Sequence, residues 1–190
     1  YKNENFLFLT AIYFIFTIIW VLFLGFVIPI LLFTGFVFGK WWGILIGVTA
    51  TTIGATLLYV LVNFFFRDFV KGKLEKKFSK LREFFIKNDI LYYGLFRFCG
   101  GLGAPYAVQN VLPVIFNMSA KSYFIATFFG SVPAMFVTVS LGSGIESVID
   151  QNVSFSMVDM MLSPEIYLPI IAFSIILIVA FLFKKFYFKG

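Results

Sequence analysis

The stretch LFRFCGGLGAPYAVQN, Leu95–Asn110, holds an arginine, three glycines, a proline, a glutamine and an asparagine within a chain that is 61% hydrophobic. With 29 Phe among 190 residues and a mean hydropathy of +0.99, the chain has too little polar surface to cover a water-soluble domain, so it reads as an integral membrane protein. In hydrocarbon, irregular backbone is tolerated only where protein or water covers it. The stretch is therefore expected to form a re-entrant hairpin, with Gly100, Gly101, Gly103 and Pro105 making the reversal.

Working outward, residues 6–26, 44–66, 122–142 and 166–183 are uncharged apolar runs. Each is long enough to cross a core roughly 30 Å thick at a rise of about 1.5 Å per residue. Pro133 is expected to kink the third run. Residues 27–43 stay apolar but are cut by Pro29, Gly35 and Gly39, and they end in Lys40, Trp41 and Trp42, a cluster suited to the headgroup level. They are expected to dip into the bilayer and return. Residues 67–89 carry eight Lys or Arg, with Val70, Leu74, Phe78, Leu81 and Phe85 at helical spacing, the pattern of a basic amphipathic helix on the membrane surface. Its phenylalanines suit a membrane boundary better than base stacking, which disfavours a nucleic-acid partner. Residues 143–165 hold Glu146, Asp150, Asp159 and Glu165 without a base and read as an aqueous loop.

Loops rich in Lys and Arg stay cytoplasmic. This places 67–89 and the Lys184–Lys185 end inside and 143–165 outside, with both termini cytoplasmic. By that parity 90–120 dips in from the cytoplasm and 27–43 from the opposite face. Displacing the chain by 76 residues superimposes Pro29 on Pro105, Thr34 on Asn110, Thr51 on Thr127, Gly54 on Gly130 and Ala55 on Ser131. The two copies fall on segments of opposite orientation, the signature of an inverted repeat whose broken segments meet near the midplane around a substrate. The expected fold is an all-α polytopic membrane protein of two inverted repeats. Each is a re-entrant hairpin plus a transmembrane helix, with flanking transmembrane helices and a cytoplasmic basic amphipathic helix.

The catalytic inventory is empty. There is no histidine and the one cysteine is Cys99, so zinc clusters, His-ligated haem, Cys/His nucleophile pairs and disulfides are excluded by counting. No serine triad or carboxylate pair converges in the spans, and no cofactor or metal is expected. Gly43 and Gly47 have the spacing of a close helix contact, within one chain or between two copies.

The motifs PILLFTGFVFGKWWG (29–43), TTIGA (51–55) with Arg67, FRF (96–98), APYAVQN (104–110) and FIATFFGSVP (124–133) resemble the DedA superfamily, in particular its VTT-domain, or SNARE-associated Golgi protein, branch. The resemblance covers about residues 25–145. It implies two facing re-entrant hairpins and movement of phospholipid or carrier lipid between leaflets. By the same resemblance Arg97, Pro105 and Asn110 match the second hairpin motif, and Arg67 the arginine ending the first motif's helix. Two departures stand out. Cys99 and Gly100 occupy the place where the family commonly has a second proline, and residues 27–39 hold no acid, which disfavours proton coupling through that hairpin.

Arg97 is the candidate for a lipid phosphate, because a guanidinium binds phosphate bidentately and a charge near the membrane interior costs at least about 2.5 kcal/mol. The competing role is structural, capping hairpin carbonyls or snorkelling to the headgroups. Gln109, Asn110 and Thr34 are candidate headgroup contacts near the hairpin tips or, alternatively, partners for broken backbone. Arg67 is a candidate contact or a cytoplasmic anchor. Lys71, Lys73, Lys76, Lys77, Lys80 and Arg82 fit anionic lipid. The functional expectation is a lipid transporter or scramblase in a bacterial plasma membrane. Its alternatives are a solute or ion transporter on the same fold, and a structural protein that binds partners through the basic helix.

Overall fold

The computed structural model describes residues 5–23, 26–76, 79 and 88–150, with isolated positions between 164 and 182. All regular structure among the described residues is helical. Three helices are long and apolar enough to cross a membrane, Phe6–Phe23, Ile28–Phe65 and Ala120–Ile145. The chain is an integral membrane protein by that composition.

α1 (Phe6–Phe23) buries only Thr17 and Val21 and exposes Leu7, Phe8, Ile12, Ile15, Phe16 and Phe23, the pattern of a helix that faces lipid. α2 (Ile28–Phe65) is two limbs joined at Gly39, where φ 70° and ψ −177° are open only to glycine. The limbs fold back on each other, since Gly43 faces the Thr34 carbonyl and Gly35, and Gly47 faces Leu31. Of the three expected breakers only Gly39 breaks the helix. Pro29 sits in the first turn, where its missing N–H is harmless, and Gly35 is helical. The second limb consequently begins at Lys40 rather than at residue 44.

A larger correction concerns direction. Phe6 meets Phe38 at 6.0 Å between ring centroids, and Tyr13 donates to the Ile30 carbonyl, so α1 is antiparallel to the first limb. Gly54 lies against the Ile18 carbonyl and Val21, so α1 is parallel to the second limb. Residues 6–26 and 44–66 do not cross in opposite senses, as the charge-based parity required. Hydropathy measures the length of an apolar run and not the sense in which it packs. α1 and the first limb form an antiparallel pair, and Trp20 Nε1 donates to the Phe26 carbonyl at 2.6 Å.

α3 (Arg67–Leu74) follows Phe66, and the expected basic helix is described only to residue 76, apart from 79 and 88–89. α4 (Asp89–Phe98) starts at Asn88, whose side chain accepts from the Leu91 N–H at 3.1 Å. A tight turn at Gly100–Gly103 carries positive φ at Gly100, Gly101, Leu102 and Gly103. α5 (Tyr106–Val111) returns and runs into a 3-10 turn at Leu112–Phe116. Asn117, left-handed at φ 55°, then reverses the chain into α6. α6 (Ala120–Asp150) crosses Pro133 and continues through 143–150, which corrects the expected loop there. Glu146 and Asp150 therefore lie on a helix. SGIESVID, 143–150, holds no proline to stop it. The rest of that loop is outside the described residues, apart from position 164. The last expected span, 166–183, is described only at isolated helical positions such as Tyr167, Ile171, Ile178 and Leu182, all exposed.

The long helices pack on bare backbone. Gly35 lies against the Val139 carbonyl and Gly142 against the Leu32 carbonyl, where any Cβ would overlap the opposing main chain. Lipid supplies no hydrophobic drive between helices, so such close approaches carry the packing. Gly35→Val is expected to destabilise by about 2–3 kcal/mol because rigid backbone, not a side chain, must give way. Gly72→Ala, which faces open space, is expected to change little. Thermal unfolding of the purified protein in detergent checks both.

Candidate functional site

α4 and α5 form a second hairpin that is cross-tied by Arg97. This guanidinium, 3% exposed, issues from the last turn of α4. Its Nε donates to the Tyr93 hydroxyl at 3.0 Å, Nη1 to Gln109 Oε1 at 3.3 Å, and Nη2 to the Tyr123 hydroxyl at 2.8 Å and to Asn110 Oδ1. Both tyrosines pass the bond on, since Tyr93 donates to the Gln109 carbonyl at 2.8 Å and Tyr123 to Asn110 Oδ1 at 3.1 Å. The rings of Tyr106, Tyr93 and Tyr123 lie 5.2, 5.3 and 5.8 Å from the guanidinium carbon, within cation–π range. Every hydrogen-bond partner of Arg97 is neutral. These bonds take four of the five N–H groups and leave the second on Nη1. The buried Tyr106 hydroxyl stands within reach of Arg97 and of the Asn110 side chain, four residues on along α5.

Gln109 does two jobs. Its Oε1 accepts from Arg97, and its Nε2 donates to the Ala104 carbonyl at 2.7 Å and to the Gly100 carbonyl at 3.4 Å, carbonyls freed by the turn. Gly101 must stay bare, because a Cβ there would collide with the Gln109 carboxamide. The turn at 100–105 and residues 26–29, at the start of α2, both line a cavity of about 540 Å³. Pro29 and Pro105 border it, together with Arg97, Gln109, and Ser131, Ala134, Met135 and Thr138 of α6. Its α6 residues, 131–138, fall midway along that helix, where Met135 also meets Thr51 of α2 at 3.4 Å. Among the described residues no acid lines it.

The sequence candidates are thus divided. Arg97 and Gln109 line the cavity, and Asn110 stands behind Arg97. Thr34 is elsewhere, fully buried, donating to the Ile30 carbonyl at 2.6 Å and paired with the Tyr13 hydroxyl at 2.6 Å. Its hydroxyl, expected as a free polar group at a hairpin tip, is engaged by these two bonds, and it does not line the cavity. Arg67 is exposed at the far end of α2 and donates to Asn117 Oδ1. The tyrosines went unread, although Tyr93 precedes Arg97 by one helical turn and Tyr106 opens the return limb.

The motifs that build this site are those of a known family, and the VTT domain matches residues 27–144, well over half of the chain. The chain belongs to the VTT-domain family. No solved structure matches it. The matched span takes in both limbs of α2, the Arg97 hairpin and α6 to Gly144, so the cavity is built almost wholly within the VTT domain.

Asn110→Ala removes the acceptor shared by Arg97 and Tyr123 and is expected to cost about 1–3 kcal/mol, the penalty for a buried donor left unpaired. The readout is the midpoint of unfolding in detergent. Leu91→Ala, exposed on α4, is expected to lose less than half as much.

Proposed function

We propose that this VTT-domain protein is a lipid transporter, passing phospholipid or carrier-lipid headgroups between leaflets through its central cavity while the acyl tails stay in the bilayer. The observation that carries the reading is the buried Arg97. It is a cation whose hydrogen-bond partners among the described residues are all neutral, lining a largely apolar cavity at the middle of α6. A charge so placed is expensive, and an anion is its natural complement. A lipid phosphate would take the Nη1 N–H that these four bonds leave over. By displacing Gln109 Oε1, the longest of the four bonds at 3.3 Å, it would gain a second donor for bidentate contact.

The membrane geometry belongs to the same proposal. The two hairpins, α1 with the first limb of α2 and α4 with α5, are re-entrant and enter from opposite faces. Two observations support an inverted repeat: Gly54 packs on Ile18 and Val21, and Gly130 on Gly94 and Arg97, the same contacts displaced by 76 residues. With the basic α3 cytoplasmic, Gly39 and the Phe6 end of α1 lie at the outer face. The membrane is a bacterial plasma membrane, and the activity is transport without covalent chemistry or a cofactor.

The test uses sealed proteoliposomes containing a headgroup-labelled phospholipid and a membrane-impermeant quencher. Empty vesicles keep about half of their signal, because headgroups cross hydrocarbon at high cost. Wild type is expected to lose nearly all of it. Ala134→Phe, which fills the cavity without touching the Arg97 bonds, is expected to slow the loss at least about tenfold, and Arg97→Lys to slow it less. Equal rates for wild type and Ala134→Phe would remove the cavity from the path. Uptake of free phosphate without quenching would favour the solute reading instead.

A further inference from the structure

We propose that α3 is a docking surface for an anionic lipid leaflet, and that its occupancy holds the second hairpin closed. The inference depends on the protein sitting in a membrane and not on what the central cavity carries.

One side of α3 and the end of α2 before it are built for a headgroup layer. Phe64, Phe65, Phe66 and Phe69 are all more than half exposed, from 58 to 79%. Arg67, Lys73 and Lys76 are exposed beside them, and the Lys73 ammonium sits 4.7 Å from the Phe69 ring centroid. Residues 67–76 hold four cations against Asp68 and Glu75, a net charge of +2, and the sequence adds Lys77, Lys80 and Arg82 immediately after. Aromatic rings at the apolar boundary with cations just beyond them match an anionic surface, where each cation adds to the attraction.

The other side of the same short helix is bolted to the second hairpin. Val70 is 7% exposed and packs in one cluster with Leu112, Val114, Ile115 and Phe116, the turn that follows α5. Arg67 donates to Asn117, the residue whose left-handed backbone reverses the chain into α6. From that reversal a chain of contacts leads inward. The Tyr59 hydroxyl donates to the Met118 carbonyl, and the Tyr59 ring stacks on Tyr123 at 4.7 Å, which in turn accepts from Arg97. An eight-residue helix is too short to be stable alone, so α3 has two states, docked on the hairpin or loosened from it. A leaflet that binds the docked helix better shifts the balance toward it, and the hairpin follows.

Cys99 provides the readout. It is the chain's single cysteine and is half-buried beside the turn of the second hairpin, so its alkylation by N-ethylmaleimide reports opening there. The protein is reconstituted in phosphatidylcholine vesicles with or without phosphatidylglycerol. Phosphatidylglycerol is expected to slow alkylation about tenfold, equivalent to about 1.4 kcal/mol in favour of the closed hairpin, and high salt to remove the effect. The Lys71→Gln, Lys73→Gln, Lys76→Gln triple variant is expected to show the same fast rate in both vesicles. Lys121→Gln, a cation outside α3, is expected to respond as wild type does. Equal wild-type rates in the two compositions, or a full response in the triple variant, would overturn the proposal. Headgroup quenching in the same vesicles is scored separately, so loss of lipid movement with an intact Cys99 response would count against the transport reading alone.

Discussion

The second half of the molecule depends on one buried guanidinium that neutral groups alone must satisfy. Arg97 leaves α4 and bonds to Tyr93 on its own helix, Gln109 and Asn110 on α5, and Tyr123 on α6. α5 has six regular residues and would not hold a helix by itself. The arginine supplies what propensity cannot, a fixed separation between α4, α5 and α6. The cost of burying the charge is offset only while all of these acceptors are in place, so the network tolerates few alternative arrangements.

On the proposed repeat, the two halves differ in chemistry. In the first, Tyr13 ties α1 to Thr34, and Thr34 lies next to Gly47. In the second, Asn110 and Tyr123 stand 76 residues on from Thr34 and Gly47 and are bonded to each other. The residue 76 positions before Arg97 is Val21, buried and apolar. The cation thus has no counterpart in the other half. On the proposed reading the cavity offers a single charged station, Arg97, while the lining at Phe26–Pro29 is apolar.

Much of this was legible in the sequence because it follows from local rules. Helical character, the long apolar runs, the glycine turn at 100–103 and the correspondence of Pro29 with Pro105 all rest on residue type and spacing. The direction of α1 was not legible. An uncharged run of about 20 residues has the same composition whichever neighbour it packs against and in whichever sense, and only contacts such as Phe6 with Phe38 fix that. Gly35 and Gly39 look alike as letters. One fits against the Val139 carbonyl and the other takes a backbone angle that no other residue accepts, and that difference lies in the third dimension. Arg97 stood out by its charge, whereas Tyr93, Tyr106 and Tyr123 were hidden among many aromatics and gained meaning only from the cation they surround.

The way Arg97 is satisfied also bears on what the cavity could do with an anion. A guanidinium free to give all its donors to a phosphate in a low-dielectric site would hold it tightly, and a tightly held ligand does not move on. Here Tyr93, Asn110 and Tyr123 keep three donors engaged, and Gln109 holds a fourth through the longest bond. An arriving anion gains at most the remaining Nη1 N–H and the one that Gln109 can yield. When it leaves, Gln109 returns, still oriented by its bond to the Ala104 carbonyl. The same side chain that braces the turn therefore caps the affinity of the site, and a capped affinity is what passage, as opposed to storage, requires.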